Sequence, residues 1–246
     1  MKNILLASAL LVSSVFAADT NYAIQPVPRD ANWLKRHERF NETSKKGEAT
    51  LVFLGDSITQ GWEGKGKATW EKYYAKRNAA NFGIGGDRTE HVLWRLDNGN
   101  FDGLKPKLIV LMIGTNNTGH VNRPQAELNG AVYQCSAEQT AEGVKEILQR
   151  LEKKAPEAKI LLLGIFPRGG TSADAMRQQN EQTNALISKL ADGQRVQYLE
   201  IGKSFLETDG TLTKEIMPDL LHLSEKGYDI WAEAIEPKVK ELLGES

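Results

Sequence analysis

The sequence predicts an α/β protein, a three-layer α/β/α sandwich around about five parallel strands. Short, wholly apolar runs of strand length recur along the chain, each stops at a polar or glycine-containing turn, and a stretch with helical spacing follows. Fully apolar runs without polar alternation read as strands covered on both faces. Strand, helix, strand in repetition implies right-handed crossovers, hence a parallel sheet with helices on both sides. The 246 residues, 40% hydrophobic and 26% charged, suffice for one such domain with a large core.

The chain opens with Lys2 and an apolar run from Ile4 to Phe16, broken only by Ser8, Ser13 and Ser14, with small residues at Ala17 and Ala18. This pattern predicts a signal peptide over 1–18 and export to the periplasm or beyond, leaving 19–246 as a single domain. The run is shorter than the roughly 20 residues of a membrane span, so stable membrane insertion is not expected. Pro26 and Pro28 mark an extended arm. From about Asp30 to Ser44, Trp33, Leu34, His37 and Phe40 recur at helical spacing.

The first strand is Leu51 to Leu54, ending at Gly55-Asp56-Ser57. A loop with Gly61, Gly64 and Gly66 leads to a helix around Thr69 to Lys76. Ala79 to Phe82 reads as a second strand that runs into Gly83-Ile84-Gly85-Gly86-Asp87, and Val92, Leu93 and Leu96 give the next helix its apolar face. Leu108 to Ile113, preceded by Pro106 and ended by Gly114-Thr115-Asn116-Asn117, carries the strongest strand signal. Helix signals cover about Ser136 to Lys154, strand signals Lys159 to Gly164, helix signals Ala173 to Leu190, and strand signals Val196 to Ile201. A last helix spans about Ser224 to Leu243, with Tyr228, Ile230, Trp231 and Ile235 on its apolar face.

The formal net charge of -1 gives no electrostatic reason to expect nucleic acid or an acidic membrane surface as partner. Cys135 is the only cysteine, which rules out an intramolecular disulfide and a cysteine-ligated metal site.

A serine just past a strand's carboxyl end sits where open α/β sheets bind ligands, although Asp-Ser there also suits a helix cap. As a nucleophile it needs a base, an orienter for that base, and donors for the developing oxyanion. Of four histidines, His37 and His91 fall within helices and His120 in a long loop. His222 is the best candidate base, because Asp219, three residues earlier in one turn, can hold Nδ1 while Nε2 faces the serine. Donors would come from other strand ends: Gly86, expected to open a helix, and the Asn116 amide, for which a local Asx-turn is the alternative. The segment Gly83 to Arg88 fails the dinucleotide spacing, since Arg88 stands where the third glycine belongs.

Four strand-end blocks, Gly55-Asp56-Ser57-Ile58-Thr59, Asn81 to Asp87, Gly114-Thr115-Asn116-Asn117 and Asp219-Leu220-Leu221-His222, together resemble the SGNH (GDSL-type) hydrolases. The stretch Asn81 to Leu96 looks most similar to the branch around the platelet-activating-factor acetylhydrolase catalytic subunits. The resemblance implies a flavodoxin-like strand order of 2-1-3-4-5. It further implies Ser57 as nucleophile, His222 as general base, Asp219 as its orienter, and Ser57 N–H, Gly86 N–H and the Asn116 amide as oxyanion hole. Ile58 replaces the leucine of the family's name. The implied reaction is hydrolysis of short acyl esters, with a small-molecule or glycan ester as the implied partner and no metal or organic cofactor. Acetyl groups on carbohydrates lead as substrates and phospholipid-type or aryl esters follow, while an inactive, exported glycan-binding member is the non-enzymatic alternative. Trp62, Trp70 and the loop containing Arg168 are candidates to line the acceptor side, with the core as the alternative for the two tryptophans.

Overall fold

The computed structural model describes residues 20–245. The predicted signal peptide therefore lies outside the described residues. One five-stranded parallel sheet in the order β2-β1-β3-β4-β5 organises the fold. The strands are β1 (Leu51–Gly55), β2 (Ala79–Gly83), β3 (Leu108–Met112), β4 (Lys159–Leu163) and β5 (Val196–Leu199). All were legible in the sequence, with ends shifted by a residue or two.

Alternation along β1 explains the layering. Val52 and Leu54 face helices α1 (Ala31–Lys46), α4 (Thr89–Asp97), α6 (Ala137–Lys154) and α7 (Ala175–Ile187). Leu51 and Phe53 face α3 (Lys67–Tyr73) and α8 (Glu225–Leu243), in a second core dominated by aromatic rings. Two shorter helices, α2 (Ser57–Gln60) and α5 (Thr115–Gly119), follow the ends of β1 and β3 directly. Strand residues Leu51 to Leu54 and Leu108 to Val110 are at most 1% exposed, as burial on both faces requires.

Local chemistry sets the helix limits. Asp30 accepts from the N–H groups of Asn32 and Trp33 to start α1, and Gly47 ends it in the left-handed conformation. Ser136 and Gln139 form a reciprocal capping box on α6. The helix expected to open at Gly86 starts instead at Thr89, because Gly86, with φ of 77°, forms a turn in which Asp87 N–H bonds to Ile84 O. The stretch between β3 and α6 contains α5 and a hairpin-like loop bridged at Pro124 and Val132, neither of which the sequence announced.

Trp62 is 1% exposed and belongs to the aromatic core, so it does not line an acceptor site. Trp70 packs against that same core. The Phe53 ring lies 4.7 Å from Tyr74, 5.2 Å from Trp70, 6.0 Å from Trp62 and 6.2 Å from Trp231. Phe53→Ala would leave a cavity inside this cluster, and urea denaturation is expected to show a loss of about 3–5 kcal/mol.

Candidate active site

Ser57 stands one residue beyond the buried Asp56, at the turn from β1 into α2. That turn is tight against its neighbours: a Cβ on Gly83 would fall 2.2 Å from Gln60 N and 2.8 Å from Asp56 O. Glycine at the end of β2 is therefore what lets the serine turn sit against the adjacent strand. From the other side, Tyr228 of α8 donates its hydroxyl to Ile58 O at 2.7 Å.

The turn before α8 brings His222 to this serine across 165 positions of chain: Ser57 Oγ and His222 Nε2 are 2.9 Å apart. His222 Nδ1 lies 2.7 Å from Asp219 Oδ2. The carboxylate is held from its other oxygen, where Asp219 Oδ1 accepts the backbone N–H groups of Leu221 (3.1 Å) and His222 (2.7 Å). Leu220 takes a left-handed φ of 60° inside this four-residue turn, a strained conformation for leucine that the turn's hydrogen bonds and packing hold in place. Burial raises the Asp219 pKa, but hydrogen bonds from the His222 ring and backbone outweigh it and leave the carboxyl below its usual value.

Three donors are left over past the ends of the adjacent strands β1, β2 and β3. Neither Ser57 N–H nor Gly86 N–H bonds to an acceptor among the described residues. The Asn116 amide gives one hydrogen to Asp87 O at 3.0 Å and keeps the second. Asn116 is thus held by a long-range contact rather than an Asx-turn. Gly85, beside Gly86, approaches the serine so closely that its Cβ would lie 3.7 Å from Ser57 Cβ.

A polar shell missing from the sequence reading supports these donors. Asp87 is fully buried, and its Oδ1 accepts from Trp33 Nε1 and its Oδ2 from Arg95 Nη1, both at 2.6 Å. Arg95, also buried, donates onward to Phe82 O at 2.6 Å and to Asn100 Oδ1 at 3.1 Å. The available signal was a charged residue, Arg95, next to Val92, Leu93 and Leu96 on the helix. His91 is structural: its Nδ1 accepts the Arg88 N–H at 3.0 Å and caps α4. His37 is also internal, with Nε2 3.0 Å from Asn98 O.

Chemically, Ser57 Oγ and His222 Nε2 are close enough to exchange a proton, and Ser57 N–H, Gly86 N–H and the second Asn116 amide hydrogen are donors open to a ligand. The site is open, the His222 side chain being 46% exposed and Asp219 56%. A separate cavity of ≈ 360 Å³, lined in part by Ile165, Arg177, Tyr198 and Glu200, lies by the ends of β4 and β5 and does not include Ser57.

The chain belongs to the GDSL-like lipase/acylhydrolase family, whose model matches residues 53–230. It is an ester-hydrolysing enzyme of that family. The human platelet-activating factor acetylhydrolase IB subunit alpha1 is 36% identical over 223 residues, 90% of this chain and 89% of the relative. The alpha2 subunit from Mus musculus is 36% identical over 229 residues, 92% and 91% of the two chains. An acetylxylan esterase from Geobacillus stearothermophilus shares the fold, with a TM-score of 0.60, 21% identity, and coverage of 79% of this chain and 96% of that one.

Asp56, inside the family's name motif, is fully buried; Oδ1 accepts Ile58 N–H at 2.9 Å, and Oδ2 has no partner among the described residues. Burial pushes its pKa up to about 7. Because the folded pKa exceeds the unfolded one, the folded state binds the proton more tightly between these values. The Asp56 contribution to stability is therefore greatest at acid pH and is lost as pH rises from about 4 to about 7. Asp56→Asn keeps the acceptor and removes the ionisation, so its Tm relative to the unmodified protein is expected to be higher at pH 8 than at pH 4, by about 2 °C or more; thermal denaturation at both pH values checks this.

Proposed function

We propose that this protein is a serine esterase that removes short acyl groups, acetyl above all, by a two-step mechanism at Ser57, with acetylated carbohydrate as the substrate class. The 2.9 Å approach of Ser57 Oγ to His222 Nε2 carries this reading. His222 Nε2 takes the serine proton as Oγ attacks the ester carbonyl. Negative charge forms on the carbonyl oxygen and is received by Ser57 N–H, Gly86 N–H and the free hydrogen of the Asn116 amide. Asp219, acceptor for Nδ1, fixes the ring's orientation and stabilises its cationic form. The imidazolium then gives its proton to the leaving alcohol. Water repeats the sequence on the acyl-enzyme and releases the acid.

The short-acyl reading draws support from polar surroundings. Behind Gly86 and Asn116 lie Asp87, Arg88, Glu90, Arg95 and Asn117, all buried, where a long alkyl chain would meet hydrogen-bonded charges. The half-exposed His222 and Asp219 suit a bulky alcohol, which can remain outside while the ester reaches the serine. The relatives named acetylhydrolase and acetylxylan esterase support the acetyl group from two directions. The apolar run from Ile4 to Phe16 supports export, which fits a polymeric substrate. A second reading, a phospholipid-type acetyl ester, is favoured by the relatives named platelet-activating factor acetylhydrolase. Acetate release from acetylated glycans, set against release from acetylated phospholipid analogues, separates the two by their alcohols.

Ser57→Ala is expected to abolish hydrolysis of short acyl esters and labelling by a fluorophosphonate probe, while Cys135→Ser retains both; full activity in Ser57→Ala would sink the assignment. Asn116→Ala removes one oxyanion donor and should lower kcat about 100- to 1,000-fold, measured by steady-state hydrolysis of 4-nitrophenyl acetate.

A further inference from the structure

The peptide unit joining Gly85 to Gly86 supplies the Gly86 N–H. It is the central unit of a four-residue turn, Ile84 to Asp87, closed by Asp87 N–H on Ile84 O at 3.1 Å. Of the two central residues only Gly86 has a positive φ, 77°. A type II turn has a φ of about +80° at this position, whereas a type I turn has about −90°. The two forms differ by close to a half-rotation of the central peptide, and the same closing hydrogen bond serves both. That rotation would carry the Gly86 N–H from one face of the turn to the other. Glycine on both sides leaves no Cβ to oppose it.

The neighbouring peptide units are fixed by other contacts. Gly85 N–H bonds to Oε1 of Gln60, on the serine's own helix α2, at 2.7 Å. Ile84 O and Asp87 N–H are joined by the closing bond itself. Neither contact touches the C=O or N–H of the central unit. Among the described residues its one hydrogen bond comes from Arg29, whose Nη1 donates to Gly85 O at 2.7 Å. The guanidinium lies close over this face, since a Cβ on Gly86 would meet Nη1 at 2.9 Å and Nη2 at 3.1 Å. Arg29 is itself held in place. It precedes Asp30, the N-cap of α1, and its Nη1 lies 3.6 Å from Oδ1 of the buried Asp87.

In a planar trans peptide the C=O and N–H point in opposite directions. A donor fixed on Gly85 O therefore turns the Gly86 N–H away from Arg29. On Ser57 the turn makes a close approach, because a Cβ on Gly85 would lie 3.7 Å from Ser57 Cβ. A cation on the carbonyl oxygen also draws electron density across the amide and strengthens its N–H as a donor. The rotated unit would put a carbonyl oxygen where the N–H now stands, which repels a developing negative charge. We propose that Arg29 is a positioning residue for ester hydrolysis, holding the Gly85–Gly86 peptide in the rotation that presents the Gly86 N–H to the oxyanion. This rests on the esterase reading, in which that N–H receives the charge of the carbonyl oxygen. Because the charge develops only after the ground state, Arg29 acts on kcat and leaves KM unchanged.

The test uses the full chain, with steady-state hydrolysis of 4-nitrophenyl acetate, active sites counted by the end-point of fluorophosphonate labelling, and NMR of the Gly86 amide. In the unmodified protein the Gly86 amide proton should move downfield when Ser57 is phosphonylated, as its N–H meets the phosphonyl oxygen. Arg29→Met removes the donor and is expected to lower kcat per labelled site about 10-fold or more, with KM within about twofold and the downfield shift lost. Arg29→Gln, shorter and uncharged, is the second variant should Arg29→Met not fold, and the same losses are expected of it. Arg29→Lys, which keeps a cationic donor, should recover part of both kcat and the shift. A kcat per labelled site within about twofold of the unmodified protein in Arg29→Met or Arg29→Gln, with the shift intact, would overturn the positioning role and leave Arg29 as a tie between the N-terminal arm and Asp87. A loss confined to KM would overturn it as well, because it would place Arg29 in ground-state binding. Neither turnover nor labelling in the unmodified protein would overturn the esterase reading instead.

Discussion

Asp87 is the group on which the candidate active site depends. Its carboxylate is buried and bound by Trp33 from α1 and Arg95 from α4, and its carbonyl holds the Asn116 amide at the end of β3. Arg95 in turn binds Phe82 O on β2. Helices α1, α4 and α5 thus meet at one residue, adjacent in sequence to Gly86, and β2 joins them through Arg95. A buried ion pair contributes little net stability compared with a well-packed apolar substitute, but losing one partner costs about 3–5 kcal/mol. The physical value of Asp87 lies in fixing where the Gly86 N–H and the Asn116 amide stand relative to each other.

The position of Ser57 depends on a second constraint, close backbone packing. Ser57 follows β1, the strand that pairs with both β2 and β3, so the donors after those strands are its neighbours by topology. Gly83 has no room for a side chain against the Asp56–Gln60 turn. Tyr228 fixes that turn from the opposite layer, and the same helix follows the turn that carries His222. Ser57 and His222 are therefore referenced to one rigid element, which favours a preorganised hydrogen bond between them.

Arg88 does for the outer loop what Arg95 does for the inner one. Its buried guanidinium binds Glu90 and Glu127 at 2.5 Å each and lies 4.4 Å from the centre of the Tyr133 ring. The loop between α5 and α6 is thereby clamped to the start of α4 through His120, Gln125, Glu127 and Tyr133. Charge inside the protein is used to position backbone.

The sequence by itself determined the layer architecture and the identities of Ser57, Gly86, Asn116, Asp219 and His222 as candidates, because these depend on local signals. Apolar strand runs declare burial on both faces, and a polar residue just beyond such a run stands out against it. Asp219 and His222 were legible as a pair because three residues in one turn suffice to join them. What only the tertiary structure decided were contacts between residues far apart in the chain: the Asp87–Trp33 bond spans 54 positions, and Ser57 and His222 are 165 apart. Trp62 could not be told from a site residue by spacing, since burial depends on α8 packing over it from the far end of the chain. Gly86 seemed to open a helix, but its left-handed turn is set by the tie from Asp87 N–H to Ile84 O. Side-chain type is written residue by residue, whereas the partner that gives a buried charge or a free donor its meaning is chosen by the fold.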